Sequence, residues 1–127
     1  MKPRFRLTSS TDFKRVRRFG KSYAHPLVVL VAHPSGLESI RVGITTGRSL
    51  GSAVKRNRAK RRLRAAIGPF LENILPGWDL ILIARQPILE AEFSEIIASL
   101  GLTLNRARLL REQYGFPCPP PTDTAKL

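Results

Sequence analysis

The chain has 127 residues, a single cysteine and a formal net charge of +13, with a pI near 11.4. The length implies one domain with room for a real core, and the lone cysteine excludes an intrachain disulfide or a thiolate metal site. The charge is lopsided, with 17 Lys/Arg against 2 Asp/Glu in residues 1–64 and 5 against 7 in the remainder, which points to a polyanion as partner.

Residues 1–8 are basic and unpatterned and read as an arm. Ser9-Ser10-Thr11-Asp12 then offers a helix N-cap with an acid three positions on, and Gly20 ends the helix after Phe19. On that helix Phe13 and Val16 share a face, and Phe13 suits either core packing or a stacking platform for a base. The apolar run 27–32 reads as a strand and 33–36 as a turn. Residues 40–46 form the next strand, antiparallel to the first. His25 and His33 flank the first strand, too far apart to share a metal, and read as turn residues.

The segment 41–64 organises the chain. Its strand is followed by a turn at Gly47 and Gly51, then by a helix in which seven of the ten positions 55–64 are Lys or Arg. Ala59, Leu63, Ala66, Ile67 and Phe70 make one apolar stripe at helical spacing, so this helix docks on a core. Like charges at i, i+4 each cost about 0.2–0.5 kcal/mol, and no carboxylate lies between Glu38 and Glu72 to relieve them. A merely solvated face mixes signs; this one does not. A membrane surface would favour bulky aromatics on the apolar stripe, whereas Ala, Leu and Ile suit a sheet.

Pro69 and Leu75-Pro76-Gly77 interrupt the chain, and 78–84 reads as a central strand. Pro87 starts a last helix whose stripe is Leu89, Phe93, Ile96, Ile97, Leu100 and Leu104. Glu90, Glu92 and Glu95 near its start complement the dipole. The order is α-β-β-α-β-α, an α+β sandwich on one sheet. The domain is expected over 1–116, and the Pro-rich tail 117–127 is expected to be disordered by composition. The apolar runs are strand-sized, and the N-terminus lacks a run of signal-peptide length; a soluble cytoplasmic protein without membrane partners is the expectation.

Protein-borne hydrolysis needs clustered acids, paired histidines or an activated nucleophile. The nine acids are scattered or accounted for by helix starts, and Gly47-x-x-x-Gly51 lacks the Lys-Ser/Thr of a P-loop. No catalytic residue and no metal ligand is therefore expected in the protein.

At 41–64 the sequence resembles the protein subunit of bacterial ribonuclease P. That family's signature is a strand R-V-G-(I/L)-(S/T), a short basic loop, and G-(N/S)-A-V-x-R-N-R-x-(K/R)-R-x-x-R. The chain has Arg41-Val42-Gly43-Ile44-Thr45, Gly51-Ser52-Ala53-Val54 and Arg56-Asn57-Arg58-Ala59-Lys60-Arg61, with Arg64 in register. The flanks, Arg6-Leu7-Thr8 with Asp12-Phe13 and 79–85, also resemble it.

The resemblance implies a ribosomal protein S5 domain 2-like fold: one four-stranded sheet, with the RNR helix in a left-handed β-α-β crossover. It implies removal of the 5′ leader from precursor tRNA, with the chemistry and most of the Mg²⁺ carried by the RNA subunit. Arg48, Arg56, Asn57, Arg58, Lys60, Arg61 and Arg64 would contact ribonuclease P RNA. Phe13, Arg17 and Val31 would meet the precursor's leader, in a cleft between the sheet and the RNR helix. Arg17 and Val31 stand where many members carry aromatics, which shifts the weight from stacking to charge. A ribosomal or ribosome-assembly protein uses the same charge logic without enzyme function, and a stand-alone nuclease is disfavoured by the missing acid cluster.

Overall fold

The computed structural model describes residues 5–110; the expected tail and the 1–116 boundary lie outside them. Helix α1 spans Ser10–Phe19, strands β1, β2 and β3 span Lys21–Ala24, Val28–Pro34 and Arg41–Thr46, and helix α2 spans Ala53–Ile67. Strand β4 covers Trp78–Ala84 and helix α3 covers Phe93–Arg106. The four strands form one mixed sheet in the order β1-β2-β4-β3, antiparallel except for β3 with β4.

Alternation along the strands gives the sheet two apolar faces. Val28, Leu30 and Ala32 of β2, Val42 of β3, and Leu80, Leu82 and Ala84 of β4 meet α2 and α3 in the main core. The expected stripe of α2 supplies the other half: Ala59, Leu63, Ala66 and Ile67 are fully buried and Phe70 nearly so. Burying a Leu or Ile side chain contributes about 1.5–3 kcal/mol, which outweighs the like-charge cost along the helix. On the opposite face Leu7, Val16, Val31 and Ile81 form a smaller cluster beneath α1, with Phe13, Val29 and Ile83 partly buried around it.

Strand β1 was not foreseen, because KSYA is an edge strand exposed at every position but Tyr23 and carries no apolar alternation. Strand β3 runs opposite to β2 but is not its neighbour, since β4 lies between them. His33 and Pro34 belong to β2 and pair with Asp79 and Trp78, so His33 is not a turn residue. The presumed arm is docked at least from Phe5. Phe5 and Leu7 are buried, and the Leu7 amide donates to the Val42 carbonyl at 2.9 Å, because two apolar side chains among the basic ones find the sheet. Finally, Pro87 lies in a 3-10 turn, Gln86–Leu89, and α3 starts only at Phe93. There the Glu92 amide donates to Glu95 Oε1 at 2.8 Å, as a capping box requires.

One basic residue of α2 belongs to the fold. Arg62 donates to the carbonyls of Ile88 (2.9 Å), Leu89 (3.4 Å) and Ala91 (2.6 Å), the linker between β4 and α3. Arg62→Ala is expected to cost about 1–3 kcal/mol of stability through the orphaned carbonyls. Arg61→Ala, on an exposed residue one position away, should cost within about 0.5 kcal/mol. Urea unfolding of the two variants checks the contrast; equal losses would mean that Arg62 is not a tie.

Candidate nucleic-acid interface

Helix α2 begins where Ser52 Oγ accepts from the Lys55 amide at 3.3 Å. Gly51 precedes it at φ +97°, a left-handed conformation suited to glycine. Arg56 Nη1 donates to the Gly51 carbonyl, so this guanidinium is held at the mouth of the turn. With the apolar stripe docked, Asn57, Arg58 and Arg61 are exposed, and Arg56, Lys60 and Arg64 are half-exposed beside it. None of these five cations has an ion-pair partner among the described residues. Arg48 opens the Arg48–Leu50 turn just before the helix; its side chain lies outside the described residues.

The structure thus brings six of the seven expected RNA-subunit contacts onto one helix with uncompensated charge. Arginine forks of this kind pair with phosphates bidentately, and folded RNA presents mainly backbone and shape.

Phe13 and Arg17 lie elsewhere. Helix α1 crosses the face of the sheet opposite α2, so no cleft separates the sheet from α2; that space is the core. The Phe13 ring rests over Gly43, where an added Cβ would collide with Phe13 Cζ. One turn on, Arg17 is exposed on the same flank of α1. Val31 is only 4% exposed and packs beneath α1, so it forms the floor of this face and is not a contact surface. Around Phe13 the sheet face continues through half-buried Val29, Ile83 and Thr45.

An ion-pair network fixes α1 to this face. Asp79, fully buried at the start of β4, accepts from Arg41 Nε and Nη2 at 2.8 Å each and from Arg15 Nη2 at 3.0 Å. Asp12 accepts from Arg15 at 2.7 Å and from Arg41 at 3.3 Å. Hydrogen bonding to Asp79, opposed by burial, holds the Arg41 pKa above its ordinary value. Asp12, the acid three positions after the Ser9 cap, donates its amide to Ser9 Oγ at 3.4 Å while its carboxylate joins this network. The signal for Asp79 was available: an aspartate inside WDLILIA must find a cation.

Gly43→Ala is expected to swing the Phe13 ring off the sheet with a stability loss of about 1–3 kcal/mol, observable as a changed Phe13 ring environment by NMR. An unchanged ring signal would show that the contact is looser than described.

Among the described residues no three His, Cys, Asp or Glu side chains converge to hold a metal ion, and no helix is long and apolar enough to cross a membrane. A basic crossover helix on one sheet face and a basic amphipathic helix on the other define a small α+β RNA-binding protein.

The Ribonuclease P family model matches residues 1–108. A Ribonuclease P protein component from Herpetosiphon aurantiacus is 40% identical over 85% of this chain and 88% of its own length. One from Chloroflexus aggregans is 36% identical over 94% and 90%. The solved Staphylococcus aureus RNase P protein superposes with a TM-score of 0.75 at 31% identity, covering 84% of this chain and 98% of that one. The Thermotoga maritima protein gives 0.71 at 28%, covering 80% and 96%. The chain belongs to the Ribonuclease P protein family, and its role is that of the protein component in tRNA 5′ processing.

Proposed function

We propose that the two faces of the sheet divide the work of the holoenzyme. The α2 surface, Arg56, Asn57, Arg58, Lys60, Arg61 and Arg64 with Arg48 beside it, docks on ribonuclease P RNA. The α1 surface, Phe13 and Arg17 above the Val31 floor, takes the single-stranded 5′ leader of precursor tRNA. The observation that carries this reading is the one-signed, unpaired face of α2 on a helix whose opposite stripe is wholly buried.

Among the described residues the donors do not converge on a Mg²⁺ site, and the phosphodiester chemistry with its Mg²⁺ ions is assigned to the RNA subunit. The protein's part is electrostatic and positional: it neutralises backbone charge where two RNAs approach and orients the leader by stacking on Phe13. A cytoplasmic ribonucleoprotein is the setting this implies.

Reconstitution tests the reading. The protein, a bacterial ribonuclease P RNA and a 5′-labelled precursor tRNA are combined at low Mg²⁺, against protein alone and RNA alone. Efficient cleavage at the mature 5′ end by the mixture only is expected. Cleavage by protein alone would reveal a catalytic site in the chain, and a mixture no better than RNA alone would favour a ribosomal partner.

A further inference from the structure

Phe19 ends α1 with its side chain on the flank opposite Phe13. On the helix wheel Asp12, Arg15 and Phe19 fall together, one side of buried Val16, whereas Phe13 and Arg17 fall on the other. Phe19 is 66% exposed. Its ring is tilted 46° against the His33 imidazole with centroids 6.5 Å apart, and the Arg18 guanidinium lies over it at 5.5 Å.

His33 Nδ1 is buried without a hydrogen-bond partner, so this nitrogen does not anchor the imidazole, whose ring sits half-buried beside Phe19. Arg18, exposed beside Phe19, and Lys21, exposed two residues on with its ammonium 5.8 Å over the Tyr23 ring, have no ion-pair partner among the described residues, because Asp12 and Asp79 are taken by Arg15 and Arg41. A mostly exposed aromatic ring, a second ring tilted against it and cations without carboxylate partners are what an unpaired nucleotide uses, one group for its base and another for its phosphate.

We infer that Phe19, His33 and Arg18 form a second stacking site, which takes an unpaired base of the precursor leader beyond the one at Phe13. The inference rests on the α1 face being the leader face. Six residues of helix rise place Phe19 about 9 Å along α1 from Phe13, and the two rings also lie on opposite flanks, so a leader reaches both only if it is long enough to cross the helix.

The test measures binding of the reconstituted holoenzyme to precursor tRNAs with leaders of two to ten nucleotides and to mature tRNA, comparing wild type, Phe19→Ala and Phe19→Trp. Phe19→Ala is expected to weaken binding about fivefold or more for long leaders and to leave the shortest leader and mature tRNA unchanged. Phe19→Trp should restore long-leader affinity. Thermal unfolding of Phe19→Ala should match wild type, since the ring is mostly in solvent. Equal affinity of wild type and Phe19→Ala at every leader length would overturn the site. If wild type bound mature and precursor tRNA alike, the leader face itself would be wrong, a separate failure.

Discussion

Asp79→Ala is expected to lower the unfolding free energy by about 3 kcal/mol. The carboxylate is fully buried and meets three guanidinium nitrogens at 2.8–3.0 Å. Its removal leaves Arg41 and Arg15 sharing Asp12 alone. Both arginines are partly exposed, with side-chain exposures of 25% and 37%, so water recovers some of their solvation and the loss stays at the lower end for a broken buried pair. Because the network joins α1, β3 and β4, the variant should also loosen α1 and weaken leader binding more than RNA-subunit binding. Denaturant unfolding with leader and RNA titrations checks both parts. A stability change below about 1 kcal/mol would mean that the network is no more than a surface salt bridge.

The Arg56/Arg58/Arg61 triple alanine variant is expected to lose RNA-subunit affinity by about 4 kcal/mol, roughly a thousandfold. The slope of log affinity against log salt should shrink by about 2–3, as three phosphate contacts are lost. The fold should survive, because Arg58 and Arg61 touch nothing the core needs and Arg56 holds only the Gly51 turn. Filter binding across a salt series, with circular dichroism as control, makes the measurement. An unchanged salt slope would remove α2 from the interface.

How legible these features were depends on their physics. The α2 stripe was readable because Ala59, Leu63, Ala66 and Ile67 repeat at the helical period, and its charge because no acid interrupts it. Gly20 and Ser9 marked the ends of α1 for the same local reasons. The neighbours of β3 were not readable: whether β2 or β4 lies beside it is decided by the crossover that α2 makes, not by any residue in the strands. Strand β1 escaped because an edge strand needs no apolar face.

The site shows the same division. Arg61 and Arg62 are adjacent and chemically identical, yet one faces solvent and the other ties down three carbonyls of a linker some 26 to 29 residues away. Only the tertiary packing of α2 against the β4–α3 linker separates their roles. Likewise the side of the sheet that Phe13 occupies follows from which way α1 crosses it, and that follows from the Arg15–Asp79 and Arg41–Asp79 pairs that span the sequence.

The central claim, that RNA subunit and leader lie on opposite faces of the sheet, is tested most directly by tethered cleavage. An iron chelate is attached at Arg17→Cys or at Arg58→Cys, each in a Cys118→Ser background, and the holoenzyme is loaded with end-labelled precursor tRNA. The α1 probe should cut the leader and spare the ribonuclease P RNA, and the α2 probe should do the reverse. Leader cuts from Arg58→Cys, with RNA-subunit cuts from Arg17→Cys, would contradict the account.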